Sequence, residues 1–189
     1  MSRAYRIRVK ESISQDLSAS DEVCSDLEIL EILPGDQMAD LLEGELKGRG
    51  FEEKDGKLVR TKDGVTVTVD PNKGEVSVKA EKEEHIELEQ EKEGWGYDDV
   101  GPRGQQIRKQ LSEQAKTELE RRAQRQQERL QGEATEKLEG VMGDVRKELN
   151  DAVNSVTREA LKRKAAQLGQ IKEMSEDPEA GSLTIKVEV

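Results

Sequence analysis

The chain has 189 residues, of which 39% are charged, 32% are hydrophobic and only 2% are aromatic. So few aromatic side chains exclude a large aromatic core, and any core must be small and aliphatic. The formal net charge is −11, and most of the excess acid lies in the first half of the chain. Because an acidic surface repels nucleic acid, this composition favours a basic protein partner, or simply serves solubility.

The number of cysteines and the hydropathy of the sequence indicate the cellular compartment of the protein. Cys24 is the single cysteine, so no intramolecular disulfide can form, and we expect its side chain to be small and buried. No segment approaches the roughly 18 consecutive apolar residues of a transmembrane helix, and residues 1–10 do not resemble a signal peptide. The pattern predicts a reducing cytoplasm and no membrane contact.

The first third of the chain predicts strands followed by one helix. Ala4–Val9 alternates apolar and basic residues, which predicts a strand, whereas residues 11–22 are polar and predict a loop. Val23–Leu33 predicts a second extended segment. The helix is predicted over residues 37–48, with Asp36 as its cap and Gly48 and Gly50 ending it; its apolar stripe comprises Met38, Leu41, Leu42 and Leu46.

A meander of short strands follows. Asp55-Gly56 and Asp63-Gly64 predict tight two-residue hairpin turns, which need positive φ angles, and Asp70–Gly74 predicts a third turn. Valines alternate with polar residues between these turns, so the valines are expected to face a core. Ile86 and Leu88 either extend the last strand or begin another, within an acidic stretch over residues 81–93 that is also a candidate docking strip for a basic partner.

Composition changes sharply in the second half. Residues 93–106 are rich in glycine and predict a linker, and residues 107–173 predict a helical stalk. A turn near residues 140–143 makes this stalk a helical hairpin, with Asp144 capping its second helix. The alternative is one unbroken helix whose last strand docks on another chain.

The stalk contains two apolar stripes. The first steps by four residues through Ile107, Leu111, Ala115, Leu119 and Ala123. The second alternates steps of four and three, which is typical of a coiled-coil seam, and comprises Leu138, Met142, Val145, Leu149, Ala152 and Val156. The second stripe predicts homo-oligomerisation or a partner helix. Its candidate interaction residues are Leu138, Met142, Val145, Leu149 and Val156.

Residues 182–189 alternate apolar and polar positions and predict a final strand. Because a lone strand must join a sheet, we expect it to return to the sheet of the head. The predicted fold class is α+β. It has an acidic head over residues 1–92 with a small antiparallel sheet and one helix, a long helical hairpin or coiled-coil stalk, and a closing C-terminal strand.

The sequence contains only weak matches to catalytic or metal-binding motifs. Asp16, Ser18 and Ser20 match the DxSxS pattern of a metal-binding loop, but no hydrophobic strand precedes them, so we expect no metal site. His85 lies among glutamates, where a surface histidine is favoured over a metal-dependent hydrolase site. No nucleotide-binding or hydrolase motif is present in the sequence. We therefore expect neither catalysis nor a cofactor.

Aromatic and basic residues suggest binding sites. Trp95 and Tyr97 are the best anchor candidates for a partner, because aromatic residues are rare here; the alternative is that they cover an open edge of the head. Basic clusters at residues 121–129 and 158–164 allow nucleic-acid binding as a further alternative. Interleaved acidic residues and the absence of aromatic residues favour solvated helix faces instead.

The head also resembles a known family. The segment GDQMADLLEGELKGRGFEE (residues 35–53), followed by short alternating strands, is similar to small accessory proteins encoded beside AAA+ ATPases in bacterial FtsH-type ternary systems. The resemblance covers residues 1–90 and the closing segment SLTIKVEV. It implies an accessory role next to an AAA+ ATPase in a stress or conflict response, and it assigns no functional residue.

These observations together predict a non-enzymatic adaptor or scaffold. Its partner would be a protein, an AAA+ ATPase if the resemblance holds, and its stalk would set distance and valency. The competing hypothesis is a structural coiled-coil protein that assembles with itself.

Overall fold

The computed structural model describes residues 4–97, 102–177 and 182–188 and has the mixed α+β fold that the sequence predicts. Contacts divide the chain into two compact units. The ribbon unit takes its residues from Met1–Asp21 and Glu81–Glu136, and the sheet unit from Glu22–Ala80 and Lys137–Val189. The elements in chain order are β1 (Ala4–Asp26), α1 (Gly35–Gly48), β2 (Glu52–Lys54), β3 (Lys57–Lys62), β4 (Val65–Asp70), β5 (Glu75–Tyr97), α2 (Pro102–Leu168), β6 (Gln170–Asp177) and β7 (Ser182–Glu188).

Five strands form one antiparallel sheet in the order β1-β5-β4-β3-β2. The predicted hairpin turns are confirmed: Asp55 and Asp63 have φ angles of 54° and 51°, and each is followed by a glycine that also has positive φ. β4 pairs with β5 from Val65 opposite Ala80 to Asp70 opposite Glu75. The sheet therefore follows directly from the turn chemistry of this segment.

The core of the sheet unit is aliphatic apart from Phe51, as the scarcity of aromatic residues requires. One face of the sheet packs against α1 and against the part of α2 that belongs to this unit. Leu42 and Leu46 of α1 are completely buried, and Leu138 of α2 is almost so. The valines of β4 and β5 supply the other side, as predicted: Val65, Val67, Val69, Val76 and Val78.

A half-buried ion pair fixes α2 to this sheet. The guanidinium of Arg60 in β3 donates two hydrogen bonds of 2.6 Å to the carboxylate of Glu148 in α2. The same guanidinium lies over the ring of Phe51, 4.5 Å from its centroid. The hydrogen bonds from Arg60, aided by its positive charge, stabilise the carboxylate and lower the pKa of Glu148.

The ribbon unit is built from β1, β5 and the part of α2 that precedes Lys137. The two strands form an antiparallel ribbon, and side chains on one face of it pack against the helix. Buried Leu17 and Ala19 of β1 and Ile86 of β5 meet buried Leu130 and Ala134 of α2. The upstream stripe of the predicted stalk is therefore an inward-facing stripe of this unit, with Ala115, Leu119 and Ala123 also buried.

Helix α1 agrees with the prediction to within two residues at its start. Pro34 precedes it, and Asp36 lies in its first turn without making a side-chain capping hydrogen bond. A carboxylate there interacts favourably with the positive end of the helix dipole, so the residue is well placed even though it is not the cap. Gly50, which has a φ of 86°, follows the helix.

Two segments that were predicted to be irregular form regular secondary structure instead, so both predictions are wrong. Residues 11–22 continue β1, since Ile13, Leu17 and Ala19 keep the alternation of the strand on its inner face. Residues 93–97 continue β5, and residues 102–106 begin α2, so the glycines of the predicted linker lie mostly within regular structure. The predicted head and linker boundaries do not match the two units.

Helix α2 runs without interruption from Pro102 to Leu168, so the predicted turn near residues 140–143 is wrong. A β-carbon added to Gly132, Gly140 or Gly143 would meet no neighbouring atom within 4 Å. These glycines therefore lie on the solvent side of the helix, where each weakens it without breaking it. The unbroken helix was the alternative that the sequence left open.

The closing strand is confirmed, but its predicted partner is wrong. β7 pairs with β6 in a separate two-stranded antiparallel sheet and does not join the five-stranded sheet. β6 follows α2 directly and supplies the neighbour that the sequence argument required. Residues 170–177 were missed because only Ile171 and Met174 interrupt their polar pattern. None of the described helices combines the length and apolar character needed to cross a bilayer.

Candidate protein-interaction surface

The ribbon unit presents an outer face opposite the face that packs on α2. Alternation along each strand places odd-numbered residues of β5 and even-numbered residues of β1 on this face, and all of those described within the ribbon unit are exposed. We call this surface the outer ribbon face. It includes Arg6, Arg8, Lys10, Ser14 and Asp16 of β1 and His85, Glu87, Glu89, Glu91, Glu93 and Trp95 of β5.

A ladder of ion pairs crosses one end of this face. Lys10 lies 2.7 Å from Glu89, and Arg8 lies 2.6 Å from Glu91 and 2.7 Å from Glu93. These carboxylates raise the pKa of Arg8 and of Lys10, mainly through hydrogen bonds to Glu93 and Glu89 respectively. Opposite charges directly across an antiparallel pair stabilise the register of the ribbon, although exposed pairs each contribute little.

His85 lies at the centre of a second cross-strand cluster. Its Nδ1 is 2.5 Å from the carboxylate of Asp16, and its Nε2 is 3.3 Å from the hydroxyl of Ser14. Glu87 approaches the same Nε2 at 3.7 Å. The hydrogen bond to Asp16 is the main cause of a raised pKa for His85.

The serine, histidine and aspartate of this cluster stand in the order of a hydrolase triad, but their environment favours another role. A general base must be neutral, whereas the carboxylates favour the protonated imidazolium. The side chains of His85 and Asp16 are 53% and 91% exposed, and acyl transfer needs oxyanion donors in a site that excludes water. We interpret the cluster as a charged cross-strand contact.

Trp95 is the large apolar residue of the outer ribbon face. It is 58% exposed, although it is the single tryptophan of the chain. The guanidinium of Arg6 lies 5.2 Å from its ring centroid, and Arg6 also pairs with Glu93 at 3.6 Å. The cation over the ring holds the indole in place at the surface. The predicted anchor residue is therefore accessible, whereas the side chain of Tyr97 lies outside what the structure describes.

Glycines on either side of Trp95 let the end of β5 pack closely against Tyr5 and α2. A β-carbon on Gly96 would lie 2.6 Å from the ring of Tyr5, and one on Gly94 would lie 3.0 Å from Leu111 of α2. Gly104, near the start of α2, also lies against the Tyr5 hydroxyl. Close packing of strand, tyrosine and helix thus requires glycine at these positions. The glycines that predicted a linker hold the end of the ribbon unit together.

The predicted coiled-coil seam does not lie on the surface. Leu138, Leu149 and Val156 are buried in the core of the sheet unit, and Met142 and Val145 pack against that core. The interpretation of this stripe as an interface for a second helix is therefore wrong: the sheet and α1 cover it. A stripe of this period indicates a helix face that is buried. The sequence alone does not say whether that face packs against the same chain or against another chain.

Several cations in the basic clusters of α2 have acidic neighbours. Arg122 pairs with Glu118 at 3.1 Å, and Arg129 pairs with both Glu84 and Glu133. In the second cluster Arg163 pairs with Glu159 at 3.3 Å, while Arg158 and Lys162 also have interaction partners. Such pairing leaves fewer cations for phosphate groups than the sequence count suggests.

Two further predicted residues are located by the structure. Cys24 is exposed, not buried as predicted, because it lies on the solvent face of β1. His85 is the surface histidine that the sequence favoured. Within the described part of the chain, no three histidine, cysteine, aspartate or glutamate side chains lie close enough together to hold a metal ion.

The cross-strand ladder was missed at the sequence level, although a signal was present. Basic residues recur at every second position over 6–10, and glutamates do so over 87–93. Matching alternation of opposite charge in two segments is what an antiparallel ribbon with a solvent face would show. The signal was not used because residues 11–22 were interpreted as a loop.

The chain was compared with known protein families, curated proteins and solved structures. The family model described as FtsH ternary system domain X5 matches residues 1–189, which is the whole chain. The family resemblance that the sequence suggested is thereby confirmed. Neither a search of curated proteins nor a search of solved structures gave a match.

Proposed function

The chain belongs to the FtsH ternary system domain X5 family, and from this premise we propose that it is a non-enzymatic adaptor that binds an AAA+ ATPase of its system. The partner would dock on the outer ribbon face, with Trp95 as its anchor. A ternary system implies several components that act together, and this supports a role in protein binding.

The exposure of Trp95 is the observation that carries this proposal. An indole that is 58% exposed in a chain with 2% aromatic residues leaves apolar surface in water that the fold does not bury. Tryptophan is also among the residues that contribute most to protein interfaces when a partner covers them. Because Arg6 already holds the ring, docking would restrict little additional side-chain freedom.

The charges around Trp95 suit a docking site with a polar rim. Arg6, Arg8 and Lys10 form one row, and their glutamate partners form the next. Adjacent rows of opposite sign would orient a partner that carries the complementary rows, and they would disfavour partners that do not. Interfaces commonly combine such a rim with one central aromatic residue.

The proposal is tested by affinity capture of the tagged full-length chain from its own cells. We expect the unmodified protein to recover an AAA+ ATPase, and Trp95→Ala to recover at least tenfold less, as expected for the loss of an interface anchor worth about 2 kcal/mol or more. The matched control is Leu30→Ala, which removes a large apolar side chain that is 64% exposed in the sheet unit.

Three outcomes would contradict the proposal. Equal recovery of the ATPase by Trp95→Ala and by the unmodified chain would show that Trp95 does not contribute to the binding site. Equal loss in the Leu30→Ala control would show a nonspecific apolar effect. Recovery of the chain alone, in large assemblies, would favour the self-assembling structural protein.

A further inference from the structure

The outer edge of β5 is open within the ribbon unit. β4 pairs with β5 only as far as Ala80, opposite Val65, and the other neighbour of β5 is β1. Among the described residues, the segment 82–96 therefore has a neighbouring strand on one side only. An open edge presents backbone N–H and C=O groups that can hydrogen-bond an incoming strand.

The opposite edge of the ribbon, formed by β1, is partly covered by side chains of α2. The side-chain amide of Gln127 in α2 donates a hydrogen bond of 2.7 Å to the carbonyl of Ser18, and that of Gln131 donates one of 3.0 Å to the carbonyl of Ser20. These glutamines occupy acceptors that an added strand would need. In the described part of the chain no side chain of α2 bonds the backbone of residues 82–96, so the two edges are not equivalent.

A groove lies between the open edge and the flank of α2. It has a volume of about 760 Å³ and is lined by Lys92 of β5 and, on the helix, by residues that include Gln114, Arg121 and Arg125. An added strand would lie about 4.8 Å from β5, at the mouth of this groove. The helical segment from residue 110 to 125 is about 22 Å long, which matches six or seven residues of extended chain.

The uncompensated charge of the groove is positive. Lys92 pairs with Glu118 at 2.5 Å, and Arg122 pairs with the same carboxylate at 3.1 Å. Arg121 and Arg125 are exposed, and neither has an acidic partner among the described residues. Two guanidinium groups one helical turn apart would meet carboxylates at alternate positions of a strand.

We propose that the edge of β5 in the ribbon unit binds an extended acidic segment of a partner protein as an added strand. Its inward side chains, at every second position, are carboxylates that face Arg121 and Arg125. Its outward side chains lie beside the glutamate row of the outer ribbon face and are neutral or basic, since acidic residues there would be repelled. This inference rests on the proposed function for the nature of the partner, but it does not use Trp95.

The test uses the full chain and synthetic peptides, with no ATPase present. The probe is a capped peptide of four Thr-Glu repeats, because threonine favours strands and glutamate supplies a carboxylate at every second position. Binding is measured by fluorescence anisotropy, and hydrogen exchange reports the protection of the amides of residues 82–96. We expect binding with increased protection there, and a loss of about tenfold in affinity for the Arg121→Glu, Arg125→Glu double variant.

Two matched controls separate strand addition from general attraction. Lys116→Glu makes the same kind of charge change at an exposed position of the same helix and should retain tighter binding than the double arginine variant. A peptide in which every threonine is replaced by proline keeps the charge, but it cannot pair along its length as a strand. We expect this peptide to bind at least tenfold more weakly.

The proposal is overturned by equal affinity for the proline peptide, which would indicate charge attraction alone. It is equally overturned if protection at residues 82–96 is unchanged, or if the chain is already a dimer whose second copy protects that edge. Failure of the Thr-Glu peptide to bind, while capture of the ATPase still depends on Trp95, would overturn this inference and leave the proposed function standing. Peptide binding that depends on Arg121 and Arg125, with capture of the ATPase unaffected by Trp95→Ala, would overturn the proposed function and support this inference.

Discussion

At the scale of single residues, the outer ribbon face is organised by charges that meet across two strands. His85 is the clearest case, because one carboxylate contacts its Nδ1 and another approaches its Nε2. The imidazolium is thus favoured over the neutral ring, as the raised pKa indicates. The contact contributes stability that is fully present below the unfolded-state pKa of histidine and is lost as the pH rises through the folded-state pKa.

Replacing Asp16 tests this interpretation. We expect Asp16→Asn to lower the pKa of His85 towards that of an unperturbed histidine, because the largest favourable contact of the imidazolium is removed. The pKa is read from the pH titration of the histidine ring by NMR, which is simple because the chain has one histidine. Glu22→Gln, a change of the same charge on the same strand, should leave the titration in place. An unchanged midpoint in Asp16→Asn would mean that the two side chains are not in contact in solution.

At the scale of elements, α2 shows that a helix can continue through residues of low helix propensity. It contains three glycines on its solvent side, yet it remains unbroken because apolar side chains on its other side are buried in each unit. Tertiary packing thus overrides the local preference against helix. The same glycines are sites where the helix can be strengthened.

Replacing Gly140 and Gly143 with alanine should stabilise the protein. We expect each change to raise the free energy of unfolding by about 0.5–1 kcal/mol, since alanine has the higher helix propensity and its β-carbon meets nothing. Urea unfolding followed by circular dichroism provides the measurement. The control is Gly50→Ala, where the space is also open but φ is 86°, so we expect a loss of about 1 kcal/mol. Destabilisation by both helical changes would mean that the helix is interrupted there.

The sequence predicted well those helices, strands and turns whose formation depends on residues close together in the chain. The Asp-Gly turns, α1 and the strands between the turns depend on residues adjacent in the chain, and all were confirmed. The extension of β1 through residues 11–22 was missed because serines and aspartate on its solvent face obscure the alternation of Ile13, Leu17 and Ala19. The partner of β7 was missed because β6 has few apolar residues.

At the scale of the whole molecule, each unit joins segments that are distant in sequence. The ribbon unit combines the first 21 residues with residues 81–136, and the sheet unit combines residues 22–80 with the segment from 137 onward. Composition and periodicity report local structure, so the sequence predicted a division into head, linker and stalk in chain order, whereas each of the two units takes residues from both halves of the chain. Of the candidate site, Trp95 was identified from its rarity, whereas the open edge of β5 depends on which strands pair and had no sequence signal.

We propose that a partner of the same system covers Trp95, and ¹⁹F NMR of the indole ring can detect this contact. The chain has a single tryptophan, so incorporation of fluorotryptophan places one ¹⁹F signal at this position. We expect addition of the purified, unlabelled AAA+ ATPase to shift or broaden that signal until it saturates, because the indole passes from water into an interface. A signal that stays unchanged at saturating ATPase would contradict binding through Trp95.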